Sequence, residues 1–561
     1  MWAKRTFDTL KWPCKAALRL GLACALWLAC SAVPAQAQFS YQDLYDFPGG
    51  SGGCNPQNTG YLTQIGDGSF DGTVSGCSAS IYNLNPFSST VFNSIYSFAG
   101  SGSFPMGSVV FDTYGNFYTV ASLGGANGFG YLYGNISGVS QDLHDFTSVE
   151  GQPQASPVLG KDGNLYGITL GNFSGPGIGS AYTVVPTATG STYQSLGAFA
   201  PGLVYAPLFL AADGYLYGTS YDGGTSDFGT VFRMSTPSGA IKEIFHFDGK
   251  NGATPYGPLV QDLAGNFYGT TFSGGKNDTG VVFKITPKGA YKKLFDFDSL
   301  PQQATNNSGA WPTAGLTLGA DGNLYGVAAQ GGVNGSGTIF QISTTGAFNK
   351  IIDFTGNGGG SAPGGSAVTG LALNSNGIFY GLTSLGGANG LGDFFSLTPV
   401  NLKEILIIAG PIFVLPGVPV EIFGNELTQS AEVTFGGVQA QFQVGSDTYL
   451  TATVPMDAVD GLVADIFQTG LQVQTLSAIH ILPLITNLDP SSGPVGTQVG
   501  IVGGGFSAAT KVAFGGVQAT DFTVVSPSFI QAVVPPGAKS GKVRVMTPNG
   551  DAESEEKFVV N

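Results

Sequence analysis

The chain is 561 residues long, rich in glycine (88) and poor in charge (10%), with aromatics at 12%. A disordered low-complexity chain would lack those aromatics, and one ordinary domain would not reach this length, so the composition points to an ordered array of repeats. A formal net charge of −15 argues against binding nucleic acid through its phosphates, or an anionic lipid surface.

Residues 1–37 read as a secretory signal. Lys4, Arg5, Lys11, Lys15 and Arg19 make the basic start, residues 20–33 are apolar but short for a bilayer span, and Ala35-Gln36-Ala37 is a small-x-small cleavage site. Removing this segment takes away those five basic residues and Asp8, and the charge moves from −15 to −19. Cys30 lies in a poor lipoprotein box. No second long apolar segment follows, so no further membrane span is expected. Cys54 and Cys77 are left, and in an exported protein they are expected to pair, two free thiols being the alternative.

From residue 38 to 400 the chain repeats. Asp71, Tyr118, Tyr166, Tyr217, Tyr268, Tyr325 and Tyr380 fall on one repeat position, spaced by 47, 48, 51, 51, 57 and 55 residues. Phe or Leu precedes each of them. A period near 50 is that of a four-stranded propeller blade. Residues 320–354 show the unit most clearly. Strand a, near Leu316, turns at Asp321-Gly322-Asn323 into strand b, Leu324-Tyr325-Gly326. A Gly-rich loop leads to strand c, Thr338-Ile339-Phe340, and strand d ends at Ile351-Ile352-Asp353-Phe354. Seven d strands and seven a-b-c sets are countable, but the first d strand, residues 41–47, precedes the first a-b-c set. The expectation is a seven-bladed β-propeller closed by that N-terminal strand, which leaves no terminal blade unpaired.

The array resembles the GloVer-type tandem repeats of exported bacterial proteins. Asp162-Gly163-Asn164-Leu165-Tyr166-Gly167, its copy at 321–326, Gly229-Thr230-Val231-Phe232 and Gly280-Val281-Val282-Phe283 carry the resemblance over roughly residues 39–400. It implies repeat architecture and export, without an assigned activity. The first repeat departs from the pattern, with Asp71 for Tyr and Cys77-Ser78-Ala79 at the start of strand c.

Past Pro399 the pattern changes to two units, 404–483 and 484–561. They share Phe-Gly-Gly-Val-Gln-Ala at 435–440 and 514–519, and alternating strands over about 80 residues fit small β-sandwiches. The second resembles an IPT/TIG immunoglobulin-like domain through Asp489-Pro490-Ser491-Ser492-Gly493-Pro494, Gly503-Gly504-Gly505-Phe506 and Val512-Ala513-Phe514-Gly515-Gly516. The first reads as a divergent copy that keeps Gly424-Asn425 and Val433-Thr434-Phe435-Gly436-Gly437. The fold class is therefore all-β: a seven-bladed propeller followed by two immunoglobulin-like sandwiches.

Catalytic and cofactor signatures are missing from the sequence. There is no Ser-His-Asp order, Cys-x-x-Cys or His-Glu-x-x-His motif, and no metal or cofactor is expected. His144 and His246 lie in outer d strands and His480 in an apolar strand of the first sandwich, where solvated or edge histidines are the default. Asp46, Asp145, Asp296 and Asp353 recur before the last Phe of strand d, but Ser97, Ala198 and His246 take the same slot in the other repeats, so it is not a strict ring of carboxylates. Alternation places this slot on a solvated face, against the sharper reading of a glycosidase-type carboxylate pair. Asp67-Gly68-Ser69-Phe70-Asp71-Gly72 looks like a calcium loop but lacks the terminal Glu, so turn chemistry explains it better. The once-per-repeat Tyr is explained by packing between blades more simply than by a ring of ligand-stacking tyrosines.

In an up-and-down blade the short a–b and c–d turns share one face, and the longer b–c and d–a loops share the other. Binding residues gather on variable loops held by rigid strands. Trp311, the lone tryptophan past the signal, sits in the longest d–a loop near Asn306 and Asn307, and Tyr256 lies in another. An aromatic among amides suits a sugar platform, and a cap on the core is the equal alternative for Trp311. Cys54 and Cys77 fall on the same face. The expected function is non-catalytic binding of glycan or protein there, with the sandwiches as spacer or docking modules. An extracellular carbohydrate-active hydrolase or lyase, and a purely structural surface protein, are the alternatives.

Overall fold

The computed structural model describes residues 39–49, 56, 62–74, 79–98, 104–112, 114–171, 179–187, 189–199, 201–301, 305–356, 365–367, 370–400, 403–409 and 412–561. The expected signal (1–37) and the Cys54–Cys77 pair lie outside the described residues. The described chain is all-β apart from one 3-10 turn, Leu427–Gln429.

The array forms a seven-bladed propeller. Six blades are sequential, running from Thr63–Gln64 to Phe348–Asp353, each strand a to d pairing antiparallel with the next. In the seventh, Ala372–Leu373, Phe379–Leu385 and Asp393–Pro399 supply a, b and c, and Phe39–Asp46 supplies the outer strand. Phe39 opposes Pro399 and Asp46 opposes Asp393, with a bulge between Asp43 and Tyr45. The two ends of the array thus share one sheet.

Seven apolar clusters join the blades in a closed cycle, each drawn from two neighbouring blades. The repeat sequence follows from this seam. Tyr217 packs on Phe267 of the next blade with ring centroids 4.2 Å apart, and Tyr325 on Phe379 at 4.3 Å, so the Tyr and the Phe/Leu before it are the two halves of one contact. The Tyr hydroxyl turns back to the a–b hairpin of its own blade. Tyr166 donates to Asp162 (2.6 Å), Tyr217 to Asp213 (2.7 Å) and Tyr325 to Asp321 (2.8 Å). The Gly after the Tyr leaves room for the strand-c aromatic. A Cβ on Gly326 would stand 2.5 Å from the Phe340 ring, and one on Gly381 2.5 Å from Phe395. In the first blade Asp71 replaces the Tyr and instead accepts from Asn83 (2.9 Å). Asp67 there accepts from the Ser69 amide (2.9 Å), which is hairpin-turn chemistry.

The remaining chain builds two sandwiches. In the first, seven strands from Ile407–Ala409 to Gln472–Gln474 form one curled sheet around Phe435, Leu450 and Ile479. The second pairs a four-stranded with a five-stranded sheet around Phe506, Phe514 and Phe558. The shared hexapeptide does the same job twice: Gly436-Gly437 and Gly515-Gly516 all have positive φ and close a two-residue hairpin.

The first sandwich touches the propeller at the short turns. Thr448 donates to the Gly66 carbonyl (3.1 Å), Ser375 to the Gly424 carbonyl (3.4 Å), and the Ile405 amide to the Ser375 carbonyl (3.0 Å). Gly66 and Ser375 lie in the a–b hairpins of the first and seventh blades. The docked module therefore occupies the short-turn face, and the long-loop face lies opposite it.

Candidate binding site on the long-loop face

The long loops are built to one plan. In four blades the Asp before the last Phe of strand d accepts a backbone N–H from the b–c loop of its own blade. Asp145 holds Ala126 (2.7 Å), Asp296 holds Lys276 (2.7 Å), Asp353 holds Val333 (2.9 Å) and Asp46 holds Ala388 (2.5 Å). Two residues on from the second glycine of the loop's Gly-Gly pair, an Asn side chain often ties back to strand d: Asn334 donates to the Phe354 carbonyl (3.1 Å) and Asn389 to that of Phe47 (3.2 Å). These carboxylates are thus loop clamps and not a solvated face. Lys293 and Lys350 pair with Asp296 (2.8 Å) and Asp353 (2.7 Å) from three residues earlier.

The histidines also differ from the solvated default. His246 fills the clamp slot in the fourth blade, and its Nδ1 accepts the Thr225 N–H at 3.2 Å. His144 stacks on Tyr193 of the next blade (3.5 Å, planes at 5°), where other seams stack Phe245 on Tyr291 and Phe295 on Phe348. Its Nε2 lies 3.0 Å from Glu150. Burial would raise the Glu150 carboxyl, but donors from Thr147 and Tyr193 and the His144 ring outweigh it and hold it below the usual range.

Three tyrosines meet where the loops of the fourth and fifth blades enter strand a. Tyr205 stacks on Tyr256 with centroids 4.9 Å apart and planes at 12°. Tyr221, at the end of strand b, stands edge-on to both, at 5.4 and 6.3 Å. All three are half-buried. Burial first, then the neighbouring tyrosines, raises the Tyr256 hydroxyl above its ordinary value, and Asp222 adds to this at Tyr205. Both hydroxyls therefore stay neutral and able to donate. Asp222 Oδ1 accepts the Leu203 N–H (2.7 Å).

Tyr256 was visible in the sequence as a loop aromatic, whereas Tyr205 and Tyr221 were not. Neither is the Tyr of the Tyr-Gly register, but Tyr205 stands 51 residues before Tyr256, the interval that separates Tyr217 from Tyr268, and that spacing was the signal for it. Trp311 lies one blade further on and stacks loosely on Phe272 (6.0 Å, 21°). Its φ is 55°, and Thr254, at the same repeat position, has φ 50°. A left-handed Trp or Thr costs about 1–2 kcal/mol, so the loop surroundings hold both backbones. The Trp311 N–H donates to the Thr279 carbonyl (3.0 Å) and its carbonyl accepts from Ala329 (3.3 Å). Asn306 is occupied structurally: its amide donates to Asp298 (3.1 Å) and Gly309 (2.9 Å) and accepts from Gly309 (2.8 Å) and Gly332 (2.9 Å). Asn307 is exposed beside it.

Family profiles agree with this architecture. The Gloeobacter/Verrucomicrobia repeat profile matches residues 150–306 and 204–408, and the IPT/TIG domain profile matches 483–559. The chain carries Gloeobacter/Verrucomicrobia repeats and an IPT/TIG domain. The first two blades have the same strand order as the matched repeats, although the profile does not reach them. No curated protein matches the chain. Among solved structures it is similar to a fungal alcohol oxidase of the AA5 family in complex with copper, at 14% identity over 79% of this chain and 99% of that one, TM-score 0.45. A nidogen/laminin complex is similar at 12% identity, 51% and 93% coverage and TM-score 0.32. SGBP-B from a xyloglucan utilization locus of Bacteroides uniformis is similar at 16% identity, 28% and 48% coverage and TM-score 0.16. At these TM-scores none of the three bears on the ligand or chemistry of this chain.

Proposed function

We propose that this is an exported binding protein without catalytic activity, and that the long-loop face takes a neutral glycan at Tyr205, Tyr221 and Tyr256. One observation carries the reading. Three half-buried tyrosines that the repeat does not require are gathered at one blade seam on the face opposite the docked sandwich. Aromatic faces with polar tips suit pyranose rings, whose C–H faces are apolar and whose edges are hydroxylated. Asp222, which acts on the Tyr205 hydroxyl and accepts the Leu203 N–H, offers a carboxylate beside the rings for a sugar hydroxyl. The carboxylates of the neighbouring loops, Asp222, Asp227, Asp248 and Asp278, disfavour an acidic polysaccharide. Export is supported by the signal-like residues 1–37. Among the described residues no helix is long and apolar enough to cross a membrane. The sandwiches act as the spacer that holds the propeller by its short-turn face.

The test is calorimetric titration of the mature protein with cellohexaose, xylohexaose, mannohexaose and a polygalacturonate oligomer. Saturable binding of a neutral hexaose, weakened at least tenfold by Tyr256→Ala, is the expected result. No heat with any neutral hexaose, or tighter binding of the galacturonate, overturns the proposal.

A further inference from the structure

The fourth blade holds its b–c loop differently from the four aspartate-clamped blades, and that loop borders the tyrosine site. Asp46, Asp145, Asp296 and Asp353 hold the corresponding loops with a carboxylate. In the fourth blade the acceptor is His246 Nδ1, 3.2 Å from the Thr225 nitrogen. The fit is close, because a Cβ on Gly224 would stand 2.8 Å from Nδ1. His246 Nε2 lies 3.5 Å from Glu243 Oε2. The two partners fix the tautomer: Nε2 carries the proton toward Glu243, and bare Nδ1 accepts from Thr225.

The held loop reaches the site at both ends. It begins directly after Tyr221 and Asp222. Near its other end the Phe228 carbonyl accepts the Thr254 N–H (2.9 Å), and Gly229 lies against Pro255, the residue before Tyr256. Letting go of Thr225 therefore loosens the backbone that sets Tyr221 against Tyr256.

We infer that His246 is a positioning residue for the tyrosine site, and that it makes ligand binding there depend on pH in a way that the carboxylate-clamped blades cannot. An aspartate accepts an N–H at any pH above the carboxylate range. A histidine accepts at Nδ1 only while neutral, and a second proton turns Nδ1 into a donor facing the Thr225 N–H. The clamp is present above the range in which imidazoles titrate and is lost as the pH falls through it. The charged groups on the segments beside the ring are Glu243 on its own strand, Asp222 just before the loop, Asp227 within it and Asp248 where the chain leaves strand d, whereas Lys242 and Arg233 pair toward the other end of the ladder, with Arg233 over the Tyr215 ring.

This inference deepens the function proposed above, and its primary test needs no ligand. Hydrogen exchange in the loop 223–229 of the full mature chain is compared at pH 5.0 and 7.5, corrected for intrinsic rates, with the Asp296-held loop 274–280 as internal control. The expected result is roughly fivefold or greater loss of protection in 223–229 at the lower pH, none in 274–280, and no such loss in His246→Asp, which supplies the acceptor used by the other blades. Equal responses in the two loops, or a response that persists in His246→Asp, would overturn it. Titration with cellohexaose at both pH values then reads the site. Weaker binding at pH 5.0 in the natural chain, and pH-independent binding in His246→Asp, support the inference. Binding that is equally tight at both pH values in the natural chain overturns the link to the site. Absence of cellohexaose binding at either pH counts against the glycan reading, while the exchange result still decides the clamp.

Discussion

Tyr205 and Tyr256 stack at 4.9 Å across the seam between the fourth and fifth blades, from one repeat position that holds Thr313 in the sixth. The propeller's own inter-blade contacts use the strand-b Tyr and its partner Phe or Leu, buried deeper in the blade. The second aromatic pair is additional to what closure requires.

The two rings are expected to be coupled. Tyr205→Ala and Tyr256→Ala should each lower the affinity for a neutral hexaose about tenfold or more. The double variant should lose less than the sum, because an aromatic pair is worth about 0.5–1.5 kcal/mol beyond its buried area. Thermal melting of the two single variants should fall by similar amounts. Additive losses in a complete mutant cycle would show that the rings act independently and that the stack does not form the platform.

The loop clamps make a second prediction, at glycines. Gly332 (φ 76°) would place a Cβ 2.6 Å from Asp353 Oδ1, whereas Gly322 (φ 78°) faces open space. Gly322→Ala meets only the left-handed penalty of about 1–2 kcal/mol. Gly332→Ala must also push the carboxylate off the Val333 N–H, which adds the loss of a charge-assisted hydrogen bond, about 1.5–3 kcal/mol. Urea titrations should rank Gly332→Ala as clearly the more destabilising. Equal costs would mean that the Asp353 clamp contributes nothing to stability.

The legibility of the chain divides along the same line. The ring and its closure could be read because the repeat advertises them: the Tyr-Gly register gives the blade, and a d strand that precedes the first a-b-c set implies closure. Phe39–Asp46 pairs with Asp393–Pro399 accordingly. The clamps were half legible. The recurring Asp was noted, but strand alternation suggested a solvated side. The missing signal was the separation of 19–20 residues from the b–c loop amide that three of the four share, as in Asp145 with Ala126 and Asp353 with Val333, Asp46 reaching Ala388 across the ring closure. Tyr205 stands 51 residues before Tyr256, as Tyr217 stands before Tyr268, so their shared repeat position was a legible signal, whereas the edge-on approach of Tyr221 to both rings was not. The seating of the first sandwich depends on Thr448, Gly424 and Ile405, which meet hairpins over 300 positions earlier or at a single remote turn, and no local pattern encodes that meeting.

The junction between the sandwiches includes a small polar cluster beside the close approach of Gly504 to Pro416 and Met456. Asn549 donates to Asp460 Oδ1 (2.9 Å) and to the Ile481 carbonyl (3.0 Å), and His480 Nδ1 lies 3.0 Å from Asp460 Oδ2. Burial would raise the Asp460 carboxyl, but donors from His480, the Ile481 amide and Asn549 outweigh it and hold it below 3.8. The stability this gives is present above the ordinary aspartate range and lost only as the pH falls through the lowered value. Asn549→Ala should leave each sandwich folded and loosen the angle between them. Small-angle scattering at neutral pH should then show a larger radius of gyration for the variant. An unchanged scattering curve would show that the junction is held by other contacts.

The strand that closes the ring carries an unfavourable charge. Asp43 lies opposite Phe395 in the seventh blade, and neither of its carboxylate oxygens has a hydrogen-bond partner of good geometry. Burial first, then the Asp46 carboxylate, pushes it from 3.8 up to about 6, with only a weak opposing pull from the Tyr45 N–H. The folded protein therefore keeps a proton on Asp43 up to about pH 6, while the unfolded chain releases it near 4. Between those values the folded state binds more protons, so stability falls as the pH rises through the window and levels off above it. Asp43→Asn keeps the shape of the protonated acid and removes the titration. Because the side chain is only partly buried, the gain above pH 7 should be about 1 kcal/mol and not the full shift. In a propeller of this length that raises Tm by only about 1–2 °C. Thermal melts at pH 4.0 and 7.5 should show this gain at the higher pH and little difference at the lower one. A gain of equal size at both would assign the effect to packing, and a loss at pH 7.5 would show that the carboxylate has a favourable partner. The natural chain thus holds its N-terminal strand less tightly at neutral pH than its contacts allow, and the ring stays closed because Phe47, Tyr41 and the antiparallel ladder outweigh one unpaired acid.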